Sequence, residues 1–387
     1  MKKTLIAIAA LAATGAFAQS TVTIDGIVDA GYVSYDMKGA KASGIDRNLT
    51  STSQFNFRVN SDLGGGMRMT WRSETDFVVT SNGANQGTLA NGASGTGNGS
   101  NGTGTSGLTN GTQATFMNGE QELALSGGYG RLGFGAINNQ ALNVHSTSQP
   151  FGTAIGSGFR ATSGAAVTSA VRDDNTLQYT TPAFGGGFKL NVINRKAQTT
   201  SAASANANFN ASLGAQQQGG ITSYAALYNA GPLNAVITRD VQDATNVTTA
   251  AAGTGAGTLG NRSTYTGLAA NYNLGATTIY GGWQVNKAAT SVGAIATDRT
   301  NVTLAARYDM GVNSFMGAVQ RTTNSLAATS SSLFALGYEY ALSKTAAVTA
   351  RYERIADGAG VASVAGYNAT AGNNDRTRMG VGLRVGF

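Results

Sequence analysis

The chain has 387 residues, of which 54 are glycine, three are proline and none is cysteine, and only 12% are charged. The lack of cysteine excludes a disulfide-stapled module, and scarce Glu and Lys beside abundant Gly, Thr, Asn, Ser and Tyr favour strands and turns. The net charge is +7, but the chain has no basic run or basic helix, so we predict no nucleic-acid partner. We also predict no cofactor and no metal site.

Residues 1–18 have the pattern of a secretory signal peptide: two lysines, an apolar core and an Ala-Phe-Ala cleavage site. A short buried or membrane helix is the alternative, but the apolar core is shorter than the ~20 residues that span a bilayer. We therefore expect an exported mature chain of residues 19–387, with a net charge of +5 once Lys2 and Lys3 are removed. With no other long apolar run, it could enter a membrane only as a closed barrel.

Apolar and polar residues then alternate with a period of two over segments of about ten residues, as in transmembrane β-strands. The first strand, 20–35, places Asp25 and Asp29 inward, and the second, 53–62, does the same for Arg58. Seven short turns alternate with eight long loops, which predicts a 16-stranded antiparallel transmembrane β-barrel with short periplasmic turns and long extracellular loops. The predicted loops lie near 36–52, 80–118, 138–172, 198–220, 242–263, 288–298, 322–331 and 356–374.

Two of these loops differ from the rest. Loop 80–118 consists almost entirely of Gly, Asn, Ser, Thr and Ala, and we predict a flexible extracellular segment. It could be a simple filler, a latch on a neighbouring subunit or a surface-variable loop. Loop 138–172 is too apolar for plain disorder, and we predict that it folds into the lumen as a constriction loop. Its notable residues are His145, Phe151, Ile155, Phe159, Arg160 and Arg172.

The alternation continues to the last residue. Met379, Val381, Leu383 and Val385 should face lipid, whereas the intervening arginines should face the lumen. A chain that ends on Phe387 within this pattern predicts a closing strand that pairs with the first strand. Aromatic residues near strand ends, Tyr35 among them, should form girdles at the membrane interfaces.

Six segments resemble those of Gram-negative general porins of the β-proteobacterial type, the family of the neisserial and comamonad porins. They are STVTIDGIVDAGY, SQFNFRVNSDLGGGMRMTWRSETDF, ELALSGGYGRLGFG, RDDNTLQYTTPAFGGGF, EYALSKTAAVTARYER and VGLRVGF, and they run in order along the mature chain. The resemblance implies a homotrimer of sixteen-stranded barrels with the third loop folded inside. It also implies that the barrel-assembly machinery reads the C-terminal Phe387.

The chain departs from the family pattern at two places. Phe55-Asn56 and Arg58-Val59 replace a Trp-Gly pair and a Lys/Arg-Gly pair, so Arg58 keeps the basic position that faces the constriction in the family. Gly135-Ala136-Ile137 replaces a Gly-Arg-Gln ending, so a pore-wall arginine is missing. The resemblance therefore implies a constriction less cationic than in strongly anion-selective relatives.

The predicted function is a water-filled outer-membrane channel for passive diffusion of ions and small hydrophilic solutes, weakly to moderately anion-selective. Charged side chains on the channel wall would set this preference, although each could also be simply a solvated lumen residue. A substrate-preferring porin is an alternative. A barrel enzyme or an adhesin is disfavoured, because His145 lacks a nucleophile context and no short repeat is present. The candidate pore-lining residues are Arg58, Arg72, Glu74, Arg160, Arg172, Asp173, Asp174, Arg351 and Arg378. Outer-membrane lipid and lipopolysaccharide are the expected surroundings.

Overall fold

The computed structural model describes residues 20–37, 40–47, 49–77, 79, 117–159, 172–195, 220–243, 262–289, 295–326, 328–357 and 375–387. The predicted signal peptide and nearly all of loop 80–118 lie outside these residues. The described elements are β1 (Ser20–Met37), β2 (Ala40–Arg47), β3 (Gln54–Gly64), β4 (Met67–Asp76), β5 (Gln121–Gly127), β6 (Gly130–Asn138), α1 (Gln140–Thr147), β7 (Arg172–Thr180), β8 (Phe188–Arg195), β9 (Ile221–Ala230), β10 (Leu233–Asp243), β11 (Arg262–Asn273), β12 (Thr277–Ala289), β13 (Ile295–Met310), β14 (Asn313–Asn324), β15 (Thr329–Ala341), β16 (Ala346–Asp357) and β17 (Arg376–Gly386).

The strands form one closed antiparallel sheet of 17 segments. From β3 to β17 each strand pairs with its neighbours in sequence, and β1 closes the ring by pairing with both β17 and β3. Residues 30–37 of β1 pair with β2, and residues 20–27 pair with β3, so β2 and β3 are two parts of one wall strand. The predicted sixteen-stranded barrel is therefore confirmed.

The predicted first loop, 36–52, is wrong in extent, because β1 continues to Met37 and β2 occupies most of the interval. The wall strand is interrupted between Arg47 and Gln54, and the backbone of residues 49–51 there lies against the buried carboxylate of Asp29. That carboxylate accepts hydrogen bonds from the amides of Leu49 at 2.9 Å, Thr50 at 2.7 Å and Ser51 at 3.2 Å. Asp29 thus satisfies backbone donors that have no ladder partner at the interruption.

An apolar cluster fills the interior beside this interruption. Leu49 packs with Val33, Tyr35 and Ile155 in a fully covered apolar cluster. Tyr35 was predicted to be an interfacial girdle residue, but it faces inward and its hydroxyl donates to Asp46 Oδ2 at 2.6 Å. The prediction failed because alternation places Tyr35 on the same face as Asp29 and Val33, whatever its distance from the strand end.

The two faces of the wall have opposite chemistry. Large apolar side chains are exposed on the outside, for example Leu304 at 58% and Leu383 at 63%, whereas Asn301, Gln320 and Thr349 are buried on the inside. This inversion of the usual soluble pattern is what a lipid-facing barrel requires. Among the described residues, no helix has the length and apolar character needed to cross a bilayer.

The end of the chain closes the barrel as the alternation predicted. The backbone of Phe387 exchanges two hydrogen bonds with Gly26, at 3.0 Å and 3.1 Å. A Cβ atom at Gly26 would lie only 2.6 Å from the Phe387 ring, so glycine permits this close contact. The closing strand β17 is therefore in register with β1 to its final residue.

Candidate channel interior

The described segment that follows β6, residues 139–159, enters the barrel and is called the inward segment below. It begins with the helix α1, at a place where we predicted only an irregular loop. Asn139 caps α1, since its side chain accepts the amide hydrogen of Leu142 at 3.0 Å. Ala141 and Val144 are fully buried against Val236 and Tyr265 on the inner wall. The capping signal was present in the sequence, but the helix is too short for a clear apolar period.

The same segment then crosses the inner wall toward β16. Phe151 is 1% exposed and packs among inward residues of β13 to β16, including Ala335 and Ile355. Gly156 has φ +102°, and a Cβ there would overlap the Phe151 ring, so only glycine fits. Its amide donates to Glu353 Oε2 at 3.0 Å. The third loop is therefore folded inward, as predicted.

Loop docking rests strongly on Phe151, because removing a buried phenylalanine side chain costs about 3–5 kcal/mol. We expect Phe151→Ala to loosen the segment and to raise single-channel conductance and current noise. Phe134→Ala is the matched control, since Phe134 is 50% exposed on the outer face. Equal conductance in the two variants would contradict the anchoring role of Phe151.

His145 is fully buried in the inward segment. Its Nε2 lies 2.9 Å from the carbonyl oxygen of Gly152, and its ring centre lies 5.0 Å from that of Phe159. Nδ1 has no hydrogen-bond partner among the described residues. This geometry fits the neutral ring with the proton on Nε2. Burial lowers the pKa of His145 from 6.5 to about 4, so the docked segment holds it uncharged at neutral pH.

Acid should therefore weaken docking of the segment. A histidine exposed by undocking takes up a proton near pH 6.5, whereas the docked one does so only near pH 4. Above pH 6.5, His145 is neutral in both states and does not oppose docking. As pH falls to 4, protonation of the undocked histidine makes the free energy of docking less favourable by about 3 kcal/mol. We expect channel noise to rise across this interval and His145→Gln to remove that pH dependence; an unchanged profile would contradict it.

Two arginines lie side by side at mid-height on the wall formed by β3 and β4. Arg58 on β3 and Arg72 on β4 are partners in the register of these adjacent strands. Arg58 Nε pairs with Asp25, and Arg72 pairs with Glu74 at 2.7 Å and also with Glu120. The Arg58 and Arg72 side chains remain 43% and 26% exposed. These two predicted residues lie together and contact the open lumen as members of ion pairs.

Arg172 and Asp173 lie where the inward loop returns to the wall. The Arg172 guanidinium contacts Glu74 and lies 3.4 Å from Asp76, which links it to the network of Arg72. Asp173 lies 3.5 Å from Arg195. Arg172, Asp173 and Glu74 are all buried, so they brace the wall instead of lining open space. Arg160 and the side chain of Asp174 lie outside the described part of the structure.

The second charged network joins β13 to β17. Arg351 is 4% exposed, pairs with Glu339, and lies under the Phe151 ring, 5.2 Å from its centre. It is therefore covered by the inward segment and does not occupy the open pore wall that alternation suggested. Arg378 and Arg376 both pair with Glu353, at 2.9 Å and 3.0 Å. Glu353 is fully buried and also accepts the Gly156 amide, so it ties the wall to the loop.

Three inward cations have no described carboxylate within ion-pair distance, and all lie near the periplasmic ends of their strands. They are Arg68, Lys189 and Arg384. Asp62 stands opposite Arg68 in register without forming an ion pair with it. Glu120 and Glu122 were not among the predicted site residues, although they pair with Arg72 and Arg131 on the β3–β6 side of the wall. The inward alternation of the segment ELALSG could have placed Glu122.

The sequence profile of the Gram-negative porin family matches residues 4–360 of this chain. The chain belongs to the Gram-negative porin family. It is 31% identical to outer membrane porin protein 32 of Delftia acidovorans over 194 residues, which cover 48% of this chain and 47% of that protein. It is 30% identical to an outer membrane porin protein of Bordetella pertussis over 204 residues, 48% of this chain and 46% of that protein. The aligned region spans about half the length of each relative.

Solved porin structures share the fold over nearly the whole chain. The anion-selective porin from Comamonas acidovorans has a TM-score of 0.70 at 21% identity, covering 95% of this chain and 100% of that one. The trimer form of OmpT, an outer membrane protein of Vibrio cholerae, has a TM-score of 0.61 at 12% identity, covering 95% and 99%. Family and closed barrel together place this porin in the outer membrane of a Gram-negative bacterium.

Proposed function

We propose that this porin is a water-filled channel through which ions and small hydrophilic solutes diffuse passively. The supporting observation is a closed sixteen-stranded wall whose inner face is polar and charged, with residues 139–159 folded against it. Barrels of this strand number leave an aqueous channel, whereas eight-stranded barrels are filled by side chains. Residues 138–172, of which 139–159 are described against the inner wall, would act as the constriction loop.

The channel should prefer anions weakly to moderately. Residues 138–172 contain no Asp or Glu but do contain Arg160 and Arg172, so the loop adds no negative wall to the lumen. Arg58 and Arg72 supply partly exposed guanidinium groups at mid-height, and three cations without a described carboxylate partner lie at the periplasmic end. The structural relative from Comamonas acidovorans is itself an anion-selective porin. Pairing with Asp25, Glu74 and Glu120 keeps the preference moderate.

The proposed assembly is a homotrimer embedded in outer-membrane lipid and lipopolysaccharide. The trimer form of the Vibrio cholerae relative supports this oligomeric state. An enzyme is not proposed, because His145 is buried in the inward segment and bonds to a backbone carbonyl. The permeating solutes are expected to be small ions and hydrophilic molecules.

The channel function is tested by liposome swelling with the full chain. We expect liposomes containing the porin to swell in isosmotic solutions of small neutral sugars, at rates that fall steeply with solute size. Planar bilayers should show stable conductance steps in groups of three. Liposomes that stay impermeable to all sugars, with no conductance, would contradict the proposal.

Assembly should depend on the last residue. Deleting Phe387 removes two backbone hydrogen bonds to Gly26 and the aromatic residue proposed to be read by the barrel-assembly machinery. We expect a several-fold loss of folded porin in outer-membrane fractions. Phe387→Tyr, which keeps both the backbone and the ring, should restore it, and normal levels of the deletion variant would refute this role.

A further inference from the structure

The described outward side chains of the strands include basic residues at one level only. Among the described side chains, five Lys or Arg residues lie on the outward face, and each lies in the extracellular half of its strand. They are Lys41, Arg239, Lys287, Arg321 and Arg354. Their sequence neighbours, such as Thr238, Gln320 and Glu353, are buried on the lumen face, which fixes the outward orientation.

Four of these residues follow a regular spatial pattern. Arg239, Lys287, Arg321 and Arg354 lie on β10, β12, β14 and β16, the strands that run toward the extracellular loops, and each lies within the last five residues of its strand. Consecutive members are separated by two strand spacings, roughly 10 Å. They therefore form a cationic arc around this side of the barrel. The described outward side chains of β3 to β9 include no such cation.

Two members of the outward set are already neutralised. Lys41 pairs with Asp36 at 3.6 Å, and Lys287 pairs with Asp298 at 3.2 Å. In contrast, Arg239, Arg321 and Arg354 have no described carboxylate within ion-pair distance. Arg239 donates instead to the hydroxyl of Thr266. These three exposed guanidinium groups are available to bind an external anion.

The level of the arc indicates where that anion lies. Arg239 is opposite Tyr224 in register, and Arg354 is opposite Phe334, two outward aromatic residues that are 56% and 47% exposed. Arginine costs about 2–4 kcal/mol at the lipid midplane but little near the interface, where its long chain reaches the headgroups. On the described strands, no outward cation lies at the periplasmic end; Lys344 is exposed there, but it lies in the turn between β15 and β16. A general requirement for headgroup contact therefore does not explain an arc confined to the extracellular ends of strands.

We propose that Arg239, Arg321 and Arg354 bind the phosphate groups of lipopolysaccharide in the outer leaflet. This inference rests on the proposed outer-membrane function and assigns residues to its lipid partner. A guanidinium group can donate two parallel hydrogen bonds to one phosphate, which an ammonium group cannot match. This difference fits the residue types in the outward set. The three positions without a described carboxylate partner are arginines, and the two positions paired with a carboxylate are lysines.

The test compares two triple variants of the full chain in neutral detergent, titrated with purified rough lipopolysaccharide. Arg239→Gln, Arg321→Gln and Arg354→Gln together remove the outward guanidinium groups. Arg68→Gln, Lys189→Gln and Arg384→Gln together form the matched control, since they remove the same charge from the lumen. We expect at least about a tenfold loss of affinity in the outward triple and less than about twofold in the control.

A second comparison needs no variant. Dephosphorylated lipopolysaccharide should bind the unmodified porin about as weakly as intact lipopolysaccharide binds the outward triple. Equal losses in both triples, tight binding without phosphate, or equal affinity for phosphatidylglycerol vesicles would overturn the proposal. Conductance in a phosphatidylcholine bilayer is measured in parallel. If the unmodified protein shows no conductance, the proposed channel function is refuted. The lipopolysaccharide proposal is decided by the titrations alone.

Discussion

Replacing Glu353 by glutamine is expected to destabilise the barrel and release the inward segment. The carboxylate is fully buried, pairs with Arg376 and Arg378, and accepts the Gly156 amide. Without its charge, both guanidinium groups lose the buried carboxylate that they share, and breaking a buried ion pair costs about 3–5 kcal/mol. The denaturant midpoint of the folded barrel, followed by tryptophan fluorescence, should fall accordingly, and single-channel conductance should become noisier.

Asp309→Asn is the matched control for this prediction. Asp309 also pairs with an arginine, Arg307, but its side chain is 46% exposed, so the loss should stay below about 1 kcal/mol. Adding Arg378→Met to Glu353→Gln should recover part of the stability, since one of the two guanidinium groups that lost the Glu353 carboxylate disappears. A change at Glu353 no larger than that at Asp309 would show that the buried network does not hold the segment.

Neutralising the mid-height arginines is expected to shift ion selectivity most strongly. Arg58→Gln with Arg72→Gln leaves the carboxylates of Asp25 and Glu120 without their guanidinium partners. Charges in a narrow, partly low-dielectric space interact more strongly than in bulk water. We therefore expect the ratio of anion to cation permeability to fall at least about threefold, which requires under about 1 kcal/mol of differential interaction.

The control for selectivity removes two cations from the wide periplasmic end. Arg68→Gln with Arg384→Gln makes the same change in net charge, but water and salt screen these positions within about 10 Å at 0.1 M ionic strength. The shift in reversal potential should be clearly smaller. Adding Asp25→Asn to the mid-height variant should restore part of the anion preference. Equal shifts in the two double variants would refute the placement of Arg58 and Arg72 at the narrow level.

The alternation of the sequence predicts the fold and the direction of most side chains. Because a strand has a period of two, Arg384 and Leu383 can be assigned to opposite faces without any structure. The apolar residues Phe151 and Ile155 also identified the loop that folds inward, since a solvated loop does not need them. These features depend on local pattern, which a single sequence contains.

Alternation cannot reveal what covers an inward side chain. Ala335 and Ile355 face the lumen side and yet form an apolar core with Phe151. Arg351 follows the pattern of a pore-wall residue, but the same loop buries it. The split of the second strand around Asp29 depends on hydrogen bonds between residues about twenty positions apart. Long-range packing of this kind determines which arginines meet water.

The central claim is a water-filled channel in which exposed cations favour anions. The direct test is the reversal potential of the full-length porin in a neutral planar bilayer separating two concentrations of potassium chloride. We expect a sign that corresponds to chloride permeating faster than potassium, with a moderate permeability ratio that declines as salt screens the charges. A reversal potential that corresponds to faster potassium permeation would contradict it.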